Sequence, residues 1–440
     1  MEQKHLKKEI NLVGALSTVM GTVIGAGVFF KVASVVNHTQ NASATLFAWA
    51  LAGLLTICGG LTVAELATAI PKTGGAVRYI EEAYGKLPSF LLGWAQMIVY
   101  FPANIAALSI IFATQCINLF HLSSSILLPL AILVGSSVTG INLLGTKVAA
   151  NVQSVTLIVK LLPISLIILA GLFTQGQVQI ALVDASFFGQ TNAAHNFAAA
   201  LLATLFAYDG WLNVGNVAGE MKHPQKDLPK AIILGLSFVT LVYVLINWAF
   251  LKNLPVAQIA GNLNAANLAA IQMFGGFGGK LVTIGILISV YGALNGYTMT
   301  GIRVPYALAK EDELPLSHYF KRLSKHTAIP YVAALFQLVI AIVMMCLGNF
   351  DLLTDMLVFV MWFFSILIFA AVFVLRKTQP DLPRPYKVPL YPVLPLIAIL
   401  GGGFILVMTI VYSTQLALTG IGLTLLGIPV FYLGRSLKKI

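Results

Sequence analysis

Twelve apolar stretches fill this chain, at residues 11–36, 43–70, 88–117, 124–142, 150–173, 196–219, 229–250, 277–309, 329–348, 353–375, 392–411 and 415–435. A helix needs about 20 mainly apolar residues to cross a bilayer, because hydrocarbon offers no partner to an unpaired N–H or C=O. The stretches match that length. Twelve of them are far more apolar helix than one soluble core can hide, so the reading is an all-α membrane protein. Composition agrees. Hydrophobic residues make up 58% and charged residues 9%, where a globular chain carries about 25% charge. That is too little charge to cover a water-facing surface, and far too apolar for a disordered or collagen-like chain. Cys58, Cys116 and Cys346 lie far apart with no C-x-x-C spacing, which argues against a disulfide framework and a metal knuckle.

The basic residues test the count of helices. With the N-terminus on the cytoplasmic side, all 26 Lys and Arg except Lys31, Lys160, Lys252 and Lys280 fall in cytoplasmic segments. This is the alternation that the positive-inside rule requires, and shifting the register by one helix destroys it. The net charge of +11 is thereby accounted for by loops beside anionic lipid, and nucleic acid is not expected as a partner. The first stretch is longer than a signal-peptide core and lacks an A-x-A site, so it reads as a retained helix. The expected organisation is a cytoplasmic tail at 1–10, five helices over 11–173, five over 196–375, two more over 392–435, and a cytoplasmic tail at 436–440.

Two stretches contain helix breakers at mid-depth. The first reads Gly21-Thr22-Val23-Ile24-Gly25-Ala26-Gly27-Val28-Phe29, and the sixth reads Leu205-Phe206-Ala207-Tyr208-Asp209-Gly210-Trp211. Clustered glycine permits unwinding. Unwound backbone at membrane depth must line a cavity or be buried in protein. There, freed N–H groups and a half-helix N-terminus attract an anion, and freed C=O groups attract a cation. One broken helix thus offers a place to both ends of a zwitterion. A simpler reading makes Gly21 and Gly25 a close-packing face. The second break shifts the balance, because the broken helices open two blocks of five with opposite orientation, as in an inverted-topology repeat.

Ionisable groups at the bilayer centre cost about 2.5–3.5 kcal/mol and are functional candidates for that reason. Lys160 lies near the midplane of the fifth stretch. It is open to three roles: a tethered cation, a proton carrier, or a structural partner of a carbonyl or carboxylate. Asp209 sits in the sixth-stretch break, as part of a pocket floor, a partner for a polar substrate group, a titrating group, or the N-cap of the following half-helix. Glu65 and Glu220 lie near helix ends, where pairing with Lys or Arg is expected. No histidine lies at mid-depth. Enzyme signatures are lacking: no H-E-x-x-H, Walker A or G-x-S-x-G string occurs. Gly275-Gly276-Phe277-Gly278-Gly279 follows no strand and reads as a flexible lead into the eighth helix, after a surface or re-entrant helix at 255–274. No catalytic residue, cofactor or metal is expected.

Four stretches carry a resemblance. They are Gly21 to Phe29; Ala64-Glu65-Leu66 through Pro71-Lys72-Thr73-Gly74-Gly75; Phe206 to Trp211 running on through Gly219-Glu220-Met221-Lys222-His223-Pro224 to Pro229; and Gly292-Ala293-Leu294-Asn295-Gly296 running to Arg303-Val304-Pro305-Tyr306-Ala307-Leu308-Ala309. In these the chain resembles the amino acid–polyamine–organocation transporters, and within them the L-type amino acid transporter branch. It is similar above all to bacterial serine/threonine and alanine/serine/cysteine exchangers, which share the string Ala-Tyr-Asp-Gly-Trp.

The resemblance implies a LeuT-type 5+5 inverted repeat of 12 helices, with helices one and six broken, working by alternating access without sodium. It implies that the backbone N–H groups of Ala26 and Gly27 take a substrate carboxylate, and that the carbonyls of Val23, Phe206 and Asp209 take its ammonium. Gly25 and Ala207 complete the lining, and Phe206 covers the bound molecule on the outer side. Lys160 matches a fifth-helix lysine that links helices one and eight in sodium-independent relatives, and Tyr243 matches a tyrosine near the first break. Many relatives carry serine where Ala26 stands, so one hydroxyl to the carboxylate is missing here. Relatives that take large substrates carry glycine where Asp209 stands, so small neutral L-amino acids are the expected cargo. Exchange is the leading expectation; proton-coupled uptake and amino acid sensing are the alternatives. No obligatory accessory subunit is expected, the bilayer apart, and a bacterial plasma membrane is the expected location.

Overall fold

The computed structural model describes residues 11–70, 75–176, 178, 180, 181, 184–212 and 221–437. Those residues form helices and connecting turns, without a strand among them. In chain order the helices are α1 (Leu12–Val23), α2 (Gly27–Thr39), α3 (Ala42–Ala69), α4 (Gly75–Tyr84), α5 (Lys86–Ala95), α6 (Phe101–Phe120), α7 (Leu127–Leu143), α8 (Thr146–Phe173), α9 (Ala185–Phe188), α10 (Ala193–Ala207), α11 (Pro224–Asn253), α12 (Val256–Ile259), α13 (Ala265–Gly301), α14 (Arg303–Lys310), α15 (Ser317–Phe320), α16 (Tyr331–Leu347), α17 (Phe350–Thr378), α18 (Val393–Tyr412), α19 (Thr414–Leu425) and α20 (Gly427–Leu437). A π-helical turn at Gln96–Tyr100 joins α5 to α6.

Among the described residues nine helical runs are long and apolar enough to cross a membrane, and ten if α1 and α2 count as one bent span. The protein is an integral membrane protein. Two further apolar helices, α10 and α16, are shorter. The sixth apolar stretch continues past α10 into residues 213–220, which lie outside the described part together with Glu220.

Asparagine starts several of these helices. The side chains of Asn11, Asn41 and Asn349 accept the N–H of Gly14, Ala44 and Leu352 at 2.8–2.9 Å, satisfying donors that a helix start leaves without a partner. Packing between the long helices rests on small residues. A Cβ on Gly53 of α3 would stand 2.3 Å from Thr240 of α11, and one on Gly292 of α13 would stand 2.3 Å from Thr156 of α8. Without a hydrophobic drive between helices in lipid, close backbone approach of this kind holds the bundle. The α3–α11 and α13–α8 pairs form two walls of the bundle, and α1, α2 and α10 pack against them.

The helix expected at 255–274 is present in two pieces: α12 is short, and α13 begins at Ala265. One expectation is corrected. The glycine run is a kink within α13, made by Gly275 at φ 72° and ψ 178°, not a loose lead into it. That φ lies where a side chain is strained and glycine is not.

Glu65, at the end of α3, has its expected basic partner. Its carboxylate accepts Arg376 Nε and Nη2 at 2.8 and 2.6 Å and the Val388 N–H at 2.8 Å. The fork-to-fork geometry is the strong form of such a pair. It ties the last turn of α17 to α3 and to the segment before α18.

Candidate functional site

The first break lies where the glycine cluster predicts it. α1 ends at Val23, α2 begins at Gly27, and their axes differ by 44°. Ile24 is extended, with ψ 104°. Unwinding strips the last carbonyls of α1 of their helical partners, and Lys160 of α8 fills the gap. Its Nζ donates to the carbonyl oxygens of Gly21 and Ile24, each at 2.6 Å. The ammonium stands at the C-terminal end of α1, where the aligned peptide dipoles place negative charge. Among the described residues no carboxylate pairs with it, and both recorded bonds go to the first broken helix. On the other side of the break, α2 presents its first N–H groups, which have no partner in a preceding turn.

The second break follows α10, which ends at Ala207. A turn through Tyr208, Asp209 and Gly210 succeeds it. Gly210 has φ 101°, and a Cβ there would stand 3.0 Å from the Thr22 carbonyl oxygen. Glycine is required twice over, by the backbone angle and by the neighbour. The two breaks touch: a Cβ on Gly27 would stand 2.6 Å from Ala207 Cα. Tyr243 of α11 joins them. Its buried hydroxyl lies 2.8 Å from the Val23 carbonyl oxygen and 3.0 Å from that of Ala207. With one proton to donate, it is shared between the two chains. Gly25 faces α13, with Ala293 Cβ 3.6 Å from where its own Cβ would be.

Asp209 is half-buried within the second break. Its Oδ2 accepts the Tyr100 hydroxyl at 2.5 Å and the Tyr297 hydroxyl at 3.3 Å. Tyr100 closes the π-helical turn and Tyr297 belongs to α13, so three segments meet at one carboxylate. Neither tyrosine was singled out by the sequence reading, because phenols in apolar helices carry no periodic signal.

Exposure divides the site. Every residue from Val23 to Val36 is buried, whereas Gly21, Thr22, Asp209, Ala293, Gly296 and Tyr297 are half-buried. The α2 side is sealed by aromatic rings: Phe206 meets Phe350 edge to face at 5.8 Å, and Phe30 meets Phe350 at 6.3 Å.

Against these rings lies a charge cluster that hydropathy did not reveal. Lys31, one of the four basic residues outside the cytoplasmic segments, is fully buried. Its Nζ donates to Asp351 and Asp355 of α17 at 2.8 Å each, and it stands 5.8 Å from the centre of the Phe206 ring and 5.3 Å from that of Phe350. Two aspartates four residues apart share one helix face, and that spacing was the available signal.

The family model described as amino acid permease matches residues 10–433. The chain is 42% identical to the serine/threonine exchanger SteT of Bacillus subtilis, over 100% of this chain and 99% of the relative. It is 30% identical to the human cystine/glutamate transporter, over 98% of this chain and 86% of the relative. It is also 30% identical to the mouse Asc-type amino acid transporter 1, over 98% of this chain and 82% of the relative.

Lys31→Met leaves two carboxylates packed around an apolar side chain. Removing one member of a buried ion pair costs about 3–5 kcal/mol, whereas replacing the whole set is close to neutral. Thermal denaturation in detergent should therefore show a clear loss for Lys31→Met, and recovery when Asp351→Asn and Asp355→Asn are added. Equal melting of all forms would show that the cluster holds nothing together.

Proposed function

The chain belongs to the amino acid permease family, and from that premise we propose that it exchanges small neutral L-amino acids of the serine, threonine, alanine and cysteine class across a bacterial plasma membrane. The observation that carries the proposal is the meeting of two helix breaks, with Tyr243 bridging their carbonyls and Lys160 standing on carbonyls that would otherwise attract a free cation. The relative that matches the whole chain is named a serine/threonine exchanger. The cystine/glutamate relative shows why identity near 30% is too weak to choose a substrate.

In this reading the chain forms twelve crossings in two inverted halves of five plus a final pair, with both termini cytoplasmic. The N–H groups of Ala26 and Gly27 hold the substrate carboxylate at the start of α2, where the helix dipole is positive. The carbonyls of Val23, Phe206 and Asp209 hold its ammonium. Val23 already accepts Tyr243, and a carbonyl has a second lone pair to offer. Gly25 and Ala207 keep the backbones close, and Phe206 covers the substrate from the α2 side. Lys160 replaces a coupling sodium ion: it supplies a fixed positive charge to the end of α1, and transport needs no sodium. Opening the α2 side requires Lys31 to part from Asp351 and Asp355, and opening the α1 side requires α1 to move relative to Lys160. The chain acts without an accessory subunit.

A second reading, proton-coupled uptake, draws on Lys160 and Asp209, neither of which faces an opposite charge among the described residues. Proteoliposomes separate the two. Labelled serine should enter vesicles preloaded with unlabelled serine, alanine or threonine, with or without sodium. Uptake that ignores the internal amino acid and follows an imposed pH gradient would replace exchange by proton coupling.

Lys160→Ala removes two charge-assisted hydrogen bonds, worth about 1.5–3 kcal/mol each. Exchange should fall by about tenfold or more, while insertion and elution as a single species persist. Wild-type exchange in that variant would take Lys160 out of the mechanism.

A further inference from the structure

The proposed function leaves one built feature unused, the meeting of Tyr100, Asp209 and Tyr297. We propose that the two tyrosines are positioning residues which aim the Asp209 carboxylate at the substrate side chain, making it the acceptor for a hydroxyl group and so the source of preference for serine and threonine over alanine. The inference rests on the transport reading above and adds to it the chemistry of the side-chain end of the site.

Four observations point there. Both tyrosine hydroxyls land on the same oxygen, Oδ2, so neither phenol occupies Oδ1, and the Gly210 N–H also lies against the carboxylate. Asp209 keeps partial exposure although Phe206, Ala207, Tyr208 and Gly210 around it are buried. Ala293 faces Gly25 of the first break, and Tyr297 lies one turn further along the same face of α13. Thr22, whose carbonyl lies against Gly210, has its hydroxyl turned back onto the Thr18 and Val19 carbonyls.

The chemistry follows from the acceptor. An ionised carboxylate accepts hydrogen bonds and offers none. It takes an O–H from the substrate, repels an acidic side chain, and gains nothing from a methyl group. A site built to bond a substrate hydroxyl is left with an unpaired polar group when alanine occupies it, and discrimination comes from that loss. Two phenolic donors already on Oδ2 fix the rotamer of the group, so Oδ1 is held in one direction. The π-helical turn matters here, since the extra residue re-aims the side chain that ends it, and such turns recur at functional sites.

The test is the Michaelis constant for serine divided by that for alanine, measured by exchange in proteoliposomes. Tyr100→Phe and Tyr297→Phe each remove one hydroxyl while keeping the ring. Each should raise the serine constant about three- to tenfold relative to the alanine constant. Asp209→Ala should abolish the preference for serine, and Asp209→Asn, which still offers an oxygen, should retain part of it. Serine and alanine constants that move together in all four variants would make the trio a structural strut and overturn the inference. Lysine competing as strongly as serine would overturn it as well, since the carboxylate would then serve a cationic side chain. Should Tyr100→Phe fail to fold, Tyr297→Phe decides alone. No exchange by the unaltered protein would instead remove the transport reading, and this inference with it.

Discussion

The Tyr243 hydroxyl, buried between the carbonyls of Val23 and Ala207, is the contact on which the arrangement of the two breaks depends. Each of these carbonyls ends a half-helix, and each would be expensive to leave bare inside a membrane. One phenol serves both, and the price of that economy is proximity: the two chains must come close enough to share it. Gly27 and Gly210 permit the approach. A side chain at either would collide with the opposite break. Unwinding, close contact and a shared donor are therefore one structural condition, and they leave donors and acceptors facing the same small space.

Buried charge is used twice in different ways. Lys160 meets backbone carbonyls at a helix terminus, so its charge is balanced by a dipole and not by a counter-ion. Lys31 meets two side-chain carboxylates on another helix. Such a set separates when α2 and α17 move apart, and water can then take over its solvation. One lysine is held by backbone and the other by side chains, and they lie on opposite sides of the first break. The Glu65–Arg376 pair holds the far end of α17, so movement at the Lys31 end has a fixed point to work against.

Much of this was legible in the sequence, for identifiable reasons. Bilayer thickness imposes a length on every span, and glycine clusters at mid-depth report the breaks directly. Lys160 and Asp209 stood out because charge is rare in such stretches. The burial of Lys31 was not legible because hydropathy sees how far a residue lies from a helix end, not what covers it; its cover is two aspartates 320 and 324 residues away. Tyr100 and Tyr297 were invisible for a related reason. A phenol is compatible with an apolar helix whether or not its hydroxyl has a task, and only the fold brings both to one carboxylate. The α13 kink was read as a loop because glycine breaks helices and also bends them.

The central claim is that the two breaks together form the substrate site. An experimental structure of the protein saturated with serine tests it most directly. The account predicts density between the breaks, with the serine carboxylate within hydrogen-bond reach of the Ala26 and Gly27 N–H groups and its ammonium toward the carbonyls of Val23, Phe206 and Asp209. Serine bound elsewhere, with this space unchanged, would contradict it.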